Sequence, residues 1–335
     1  MKKIIITGAG GYIGSISTYL FLKKGFEVVA IDNFSTGFRQ PLEKMIKEFG
    51  DDKLRFYSKD LTSDLTPLFK IEKNISAVIH YAASASVDES MHQPQKYFYN
   101  NCYGSLNLLQ SMINFGINKI IFSSTCAVYG DSTHIPIDEN HSTEPLNPYG
   151  ESKLMTEKMI SWFGKLLGIK YVILRYFNVA GALDDGEIGD SKKPSVHLIQ
   201  NVVRGTLKIA PFYLTCPEVD TPDRSPIRDY VNVVDLNEAH IASLEHLEHG
   251  GKSEIINLGT GRGYSVLEIV SKVKELTGAE FELRKTAPRQ GEYAKMIAST
   301  KKAKDLLKWS HKRSLDDTID SLIKWYKKYP NGWSS

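Results

Sequence analysis

Tyr149 and Lys153, in Tyr149-Gly150-Glu151-Ser152-Lys153, have the residue types to move a proton. In a helix, residues four apart share a face. A Lys ammonium beside a phenol favours the phenolate and lowers the Tyr pKa. Such a phenolate takes the proton from a hydroxyl as hydride leaves its carbon. Spacing alone is weak evidence, because Tyr19 and Lys23 show it too, in a segment that reads as a helix packed on a sheet. A second stretch gives the pair meaning: Gly8-Ala9-Gly10-Gly11-Tyr12-Ile13-Gly14. Glycines there let the backbone turn tightly and approach a pyrophosphate seated on a helix N-terminus. An ordinary glycine-rich turn would be the bland explanation. Against it, Asp32 ends the next apolar run, where a carboxylate can accept hydrogen bonds from ribose hydroxyls. A carboxylate would repel a 2′-phosphate, so the cofactor expected is NAD rather than NADP. A third catalytic element, a hydroxyl at a strand end, is sought in Ser123-Ser124-Thr125, which could equally be a plain turn.

The elements that must position these residues follow from hydrophobic patterning. Short β-branched runs at 3–7, 27–31, 77–80, 119–123 and 170–175 alternate with longer mixed segments at 13–24, 97–115 and 153–167. Short apolar strands separated by helical periodicity predict βαβ units and a parallel sheet. Asn147-Pro148 marks a turn before the helix carrying Lys153. Beyond about residue 180 the alternation weakens, and residues 182–194 and 210–228 read as loops covering a site. A strand at 253–258, a helix at 266–277 and a Lys-rich helical tail follow. The fold class expected is α/β: a Rossmann-type doubly wound parallel sheet with a smaller C-terminal substrate-binding lobe. Residues 1–180 form the NAD-binding domain in this reading, and 181–335 mainly the substrate domain, with the chain free to cross back.

Bulk properties narrow the class. A chain of 335 residues with 41% hydrophobic content has ample core for one large or two small domains. Its 42 basic and 39 acidic residues leave a formal charge of only +3, and the basic ones are scattered. No nucleic-acid partner is therefore expected. The opening apolar run is too short for a signal peptide, and no stretch approaches a membrane span. Cys102, Cys126 and Cys216 form no CxxC or metal-ligand pair. Reduced thiols in a cytoplasmic protein, without a metal, are the expectation.

The glycine spacing also reads as Gly8-x-x-Gly11-x-x-Gly14, which resembles the extended short-chain dehydrogenase/reductases. Nearly the whole chain is similar to the UDP-glucose (UDP-galactose) 4-epimerase family, through ITGAGGYIGS, NPYGESKLMTE, RYFNVAGA, IRDYVNVVDLNEAH and NLGTGRGYSVLE. The resemblance implies interconversion of UDP-hexose C4 epimers through a 4-keto intermediate, with tightly held NAD, in a homodimer paired through segments near 97–112 and 154–167. By resemblance, Gly8, Gly11, Tyr12, Ile13 and Gly14 would hold the pyrophosphate, and Asp32 with Asn33 the adenosine ribose. Asp60 and Leu61 would flank adenine, Tyr81 would lie along the cofactor, and Asn100 would contact it. Tyr149 would be the acid/base, Lys153 would bind the nicotinamide ribose, and Phe177 would sit near the nicotinamide. Asn178 and Arg228 would reach the substrate diphosphate, His197 and Leu198 the uridine, and Arg289 and Glu292 phosphate and ribose. His197 could instead be structural, and Arg228 or Arg289 an ordinary surface arginine.

Departures from the family pattern fall near the substrate. Thr125 stands where the family has Ser, with Ser124 just before it; either hydroxyl can donate and accept a bond. The stretch 212–225 is eroded, with Arg224 in place of a Gly. Asn232 replaces a common His, and Ser299 replaces an Asp but can still cap a helix. Met296 falls where the family has a residue beside the sugar C2 group. Met is smaller than Tyr and adaptable, so UDP-N-acetylglucosamine and UDP-N-acetylgalactosamine are expected to be tolerated. A 4,6-dehydratase or decarboxylase of the same superfamily would need an acid straight after the Thr, where Cys126-Ala127 stand. A simple NAD(P)-linked reductase would share the glycine motif and the Tyr–Lys pair. A non-catalytic NAD-binding regulator would tend to lose Tyr149 or Lys153, and both are present.

Overall fold

The computed structural model describes residues 2–333 apart from 194, 282 and 286–292. Six strands come first: β1 (Lys3–Thr7), β2 (Glu27–Asp32), β3 (Leu54–Ser58), β4 (Ile75–His80), β5 (Lys119–Thr125) and β6 (Lys170–Tyr176). Then come β7 (Asn178–Ala180), β8 (Tyr213–Leu214), β9 (Ile227–Asn232), β10 (Glu254–Leu258), β11 (Gly263–Ser265), β12 (Arg284–Lys285) and β13 (Lys295–Met296). The main sheet has seven parallel strands in the order β10-β6-β5-β4-β1-β2-β3. Its strand order reverses between β1 and β4, and the crevice beyond the carboxyl ends there is where such sheets take ligands.

Why β1 reads Ile4-Ile5-Ile6 is now plain. Ile4 and Ile6 pack on one face with Ile16, Leu236 and Leu244, while Ile5 packs on the other with Leu108 and Met112. A parallel sheet covered on both faces needs continuous apolar runs. β3 has no such run because it is an edge strand with polar content. Arg55 donates two bonds to Glu72, at 2.7 and 2.9 Å, and the Tyr57 hydroxyl donates a third at 2.7 Å. The single helix expected over 97–115 is broken. Helix Pro94–Tyr97 runs into a π-helical segment, Phe98–Tyr103, before helix Gly104–Asn114. π segments often mark functional positions, and this one carries Asn100.

After β6 the chain builds a smaller sheet. β9 pairs antiparallel with β11 and parallel with β13 and β7. A separate apolar cluster of Ile199, Val202, Phe212, Tyr230, Ile269 and Trp325 packs around it. The chain also returns to the main sheet. Helix Val233–Glu248 puts Leu236 and Leu244 into the β1 cluster, and β10 pairs with β6. Asn232 opens that helix by accepting the Val234 N–H at 2.8 Å. Ser299 does not cap, contrary to expectation. Its N–H is drawn 2.8 Å onto the Ile137 carbonyl, and helix Lys301–Leu307 starts one residue later at Thr300 without a side-chain cap. No helix among the described residues is long and apolar enough to cross a membrane.

Candidate active site

The glycine loop is shaped by steric necessity at its ends. Gly8 turns the chain at φ 69°, and a Cβ there would lie 2.7 Å from the Ala82 nitrogen. A Cβ on Gly14 would fall 2.0 Å from the Gly8 oxygen. Between them, Gly11 starts helix Tyr12–Lys23 with no side-chain cap and no acidic residue in the first turn. Its leading N–H groups lack side-chain partners and sit at the positive end of the helix dipole, which suits a pyrophosphate. Asp32 lies at the tip of β2, directly opposite. Its carboxylate accepts the Gly10 N–H at 2.9 Å and the Phe34 N–H at 2.7 Å, and each oxygen keeps a lone pair for a ribose hydroxyl. Burial raises its pKa against the pull of those bonds. At the rim, the Asn33 amide donates to Asp60 at 2.7 Å, and Asp60 also takes two bonds from Thr62. Leu61 beside them is buried. Tyr81 follows β4 and shares its hydroxyl between Ser17 (2.9 Å) and Asn237 (2.8 Å). The Asn100 amide donates to the Ser84 hydroxyl at 3.2 Å. These residues fit a dinucleotide: an uncapped helix start, a cradle that a Cβ would fill, and a carboxylate in place for a ribose.

Tyr149 stands on the first turn of helix Pro148–Leu167. Asn147 opens that helix by accepting the Gly150 N–H at 2.8 Å, and proline follows at the first helical position. Gly150 lets the helix start press on the turn after β5, since a Cβ there would lie 2.6 Å from the Ala127 oxygen. The Tyr149 phenol thus comes close enough to the Thr125 hydroxyl for that hydroxyl to favour its ionised form. The Tyr97 ring meets Tyr149 edge-on at 6.3 Å. Lys153, one turn on, is 3% exposed. Its ammonium donates to the Ser123 carbonyl at 2.8 Å and lies 4.8 Å over the Phe122 ring. Burial lowers its pKa to about 7. Burial likewise pushes the Tyr149 phenol up to about 12, with the nearby Thr125 hydroxyl pulling the other way. The expected depression of Tyr149 by Lys153 is therefore not found in the chain by itself, because both groups are desolvated and the ammonium is directed to Ser123 and Phe122. Tyr19 and Lys23 form only a surface contact, the ammonium 5.7 Å from the ring centre.

The smaller lobe holds a cavity of about 100 Å³, lined among others by Asn178, Leu198, Phe212, Leu214, Cys216 and Arg228. Three residues expected at the substrate thus meet in one place. Arg228 is 8% exposed, and one of its guanidinium N–H groups bonds the Ile227 carbonyl at 3.0 Å. His197 precedes helix Leu198–Thr206, its ring 5.6 Å from that of Tyr12. The Tyr12 hydroxyl in turn donates to the Gly181 carbonyl, linking the glycine loop to the smaller lobe. Met296 is the register partner of Arg228 and packs in one buried cluster with Phe177, Leu154 and Tyr293, against which Cys126 rests. Arg224 takes φ 61°, the left-handed conformation that explains a Gly at this position. Arg289 and Glu292 lie outside the described residues. No group of His, Cys, Asp or Glu among the described residues could hold a metal ion.

Residues 4–259, from β1 through β10, match the model of the NAD dependent epimerase/dehydratase family. The chain belongs to that family. Among its members, the UDP-glucose 4-epimerase of Lactobacillus helveticus is 39% identical over 335 residues, covering 99% of both chains. That of Lacticaseibacillus casei is 40% identical, covering 98% of both. A crystal structure of UDP-glucose 4-epimerase from Bifidobacterium longum in complex with NAD+ and UDP superposes with a TM-score of 0.93 at 33% identity, over 99% of this chain and 100% of that one.

The hydroxyl triplet of β5 divides between two environments. Successive strand residues face opposite ways, so Thr125 meets Tyr149 while Ser124 does not. The Ser124 hydroxyl donates to Glu157, which is held 2.6 Å from Arg175, both side chains being 5% exposed or less. Ser124 belongs to that buried pair and is not brought to Tyr149. One neighbour of Tyr149 carries no sequence signal. Tyr176 is the register partner of Thr125, and its hydroxyl is hydrogen-bonded to Ser123. Burial first, then the nearness of Tyr149, raises its pKa. No motif spacing connects residues so far apart in the chain.

Proposed function

We propose that the chain is a UDP-glucose 4-epimerase with tightly held NAD, interconverting UDP-glucose and UDP-galactose. The observation that carries this reading is the buried approach of Tyr149 to Thr125, in a chain that also has the glycine cradle and the Arg228 cavity. NAD, when bound, accepts hydride from C4 of the sugar and gives it back to the opposite face of the 4-keto sugar, so no net redox change occurs. Gly8, Gly11, Tyr12, Ile13 and Gly14 hold its pyrophosphate. Asp32 and Asn33 hold its adenosine ribose, and Asp60, Leu61, Tyr81, Asn100, Lys153 and Phe177 flank the rest. The Tyr149 oxygen takes the C4 hydroxyl proton and returns it, with Thr125 bridging. Arg228, Arg289 and Asn178 anchor the diphosphate, and His197, Leu198 and Glu292 the uridine end. A planar donor fork suits phosphate oxygens. Binding concentrated on the nucleotide leaves the keto sugar free to turn about the diphosphate linkage. In this reading residues 1–180 carry NAD and 181–335 mainly the substrate, with β10 and helix Val233–Glu248 crossing back.

A 4,6-dehydratase would lack its acid here. Cys126 occupies that position, and burial pushes its thiol up to about 12, so it donates no proton readily at neutral pH. A reductase would consume cofactor stoichiometrically. The test is product analysis after incubation with UDP-glucose, UDP-galactose and their N-acetylated counterparts, with no NAD added. C4 epimers accumulate without net NADH absorbance. A net NADH signal proportional to product overturns the reading. With Met296 at the sugar, UDP-N-acetylglucosamine turns over at least about a thousandth as well as UDP-glucose; a smaller ratio removes that assignment.

The subunit pairs as a homodimer in this proposal. Tyr99, Tyr103 and Leu106 form an exposed stripe beside Met155, Trp162 and Leu166, the last two 57% and 69% exposed. Adjoining apolar side chains of this extent mark interaction surfaces. Sedimentation should give a dimer for the native chain and a monomer for Trp162→Glu; a monomeric native chain ends the proposal.

A further inference from the structure

We infer that Tyr293 contacts the sugar itself: its phenolic hydroxyl hydrogen-bonds a hexose hydroxyl and contributes to choosing the substrate. This rests on the epimerase reading above. Three observations converge on it. Tyr293 is 8% exposed, and its hydroxyl is closed off from solvent without a hydrogen bond of ordinary geometry among the described residues, although the Leu146 backbone is near. A buried polar group without a partner is unfavourable and rare in folded proteins. Its ring belongs to the cluster of Phe177, Met296 and Leu154, with Cys126, the neighbour of Thr125, packed against it. Its backbone is pinned between the two halves of the site. The Ile227 N–H donates to the Ala294 carbonyl at 2.9 Å, β13 pairs with β9 at Arg228, and the Ser132 hydroxyl donates to the Lys295 carbonyl at 3.0 Å. Cys126 rests against the cluster that holds the ring, and Cys126, Asp131 and Arg228 all act electrostatically on the phenol. Burial holds it protonated, with a pKa raised to about 12, so it can donate at neutral pH. Thr125 marks the C4 end and Arg228 the diphosphate end. Tyr293 is tied to both ends, through Cys126, the neighbour of Thr125, and through Ala294 and Met296 to the strand of Arg228, which is the placement a donor to the hexose requires.

The test uses the NAD-loaded enzyme and the variant Tyr293→Phe, with Tyr293→Met as a second variant that also keeps apolar volume in the cluster. KM for UDP-glucose rises about three- to tenfold, as expected for loss of one neutral hydrogen bond. Affinity for UDP alone, measured by calorimetry, is unchanged, and bound NAD is retained. The melting temperature without sugar nucleotide is unchanged or higher, because the orphaned hydroxyl is gone. A KM within experimental error of the native value overturns the inference, and so does an equal loss of affinity for UDP and UDP-glucose. Should the native enzyme epimerise no UDP-hexose, the function fails separately. The calorimetric ratio of UDP to UDP-glucose affinity still decides the role of Tyr293.

Discussion

Tyr149→Phe lowers kcat for UDP-glucose by about 10²- to 10⁴-fold while the protein keeps its NAD. That range is the usual contribution of a positioned acid/base. The ring fills a well-defined place, with Tyr97 edge-on and Gly150 pressed on Ala127 behind it, so Phe preserves the packing. What disappears is the oxygen that approaches Thr125 and, in the proposed mechanism, exchanges the C4 proton. The glycine cradle and Asp32 are untouched, so cofactor content should match the native protein by absorbance after denaturation. A loss seen in kcat with KM little altered places the effect in the transition state. Near-native turnover sinks the assignment. The same phenol supplies a pH signature. In NAD-free protein it stays protonated until about pH 12, because burial opposes its charge. A positively charged nicotinamide close by favours the phenolate, so adding NAD should move the tyrosinate absorbance change to lower pH.

Glu157→Leu is expected to cost about 3–5 kcal/mol of stability, the range for removing one partner of a buried ion pair. Arg175 would be left 5% exposed, stacked on the Tyr129 ring at 4.9 Å, with its charge unanswered. The Ser124 hydroxyl would lose its acceptor too. A total stability of about 5–15 kcal/mol makes this a large fraction. Urea unfolding of the NAD-loaded protein measures it. The double variant Glu157→Leu with Arg175→Met should recover most of the loss, since a matched apolar pair replaces the matched charges. A single variant within about 1 kcal/mol of native refutes the argument.

The contrast between those two residues explains what the chain discloses before folding. The placement of Gly8 to Gly14, Asp32, Tyr149 and Lys153 is legible because it depends on local spacing and on the strand or helix that carries them. β1 is legible because Ile4, Ile5 and Ile6 serve two buried faces at once. β3 is not, because its Arg55 and Tyr57 are satisfied by Glu72, a partner that no periodicity reveals. Ser124 and Thr125 look interchangeable in a string. Strand alternation separates them, and only the position of Glu157 and Tyr149 says which face is which. Tyr176 beside Thr125 comes from register across strands, and Tyr293 beside Cys126 from packing between distant segments; neither leaves a fixed offset in the sequence. The electrostatics of Tyr149 escape the sequence for a related reason: four-residue spacing says how near Lys153 is, not how dry the site is.

The late arrival of β10 has a consequence for the chain while it is still being made. β10 pairs with β6 along five residues, from Glu254↔Val172 to Leu258↔Tyr176. Until the ribosome has released residue 258, β6 is the bare margin of a hydrophobic sheet, with a row of amide and carbonyl groups open to any extended strand. Nascent chains at that stage are the ones that aggregate or recruit chaperones. A fragment stopped near residue 180 keeps the entire glycine cradle and Tyr149, yet it also keeps that margin permanently open. The first 180 residues therefore depend, for the cover of that margin, on five residues made much later in the chain.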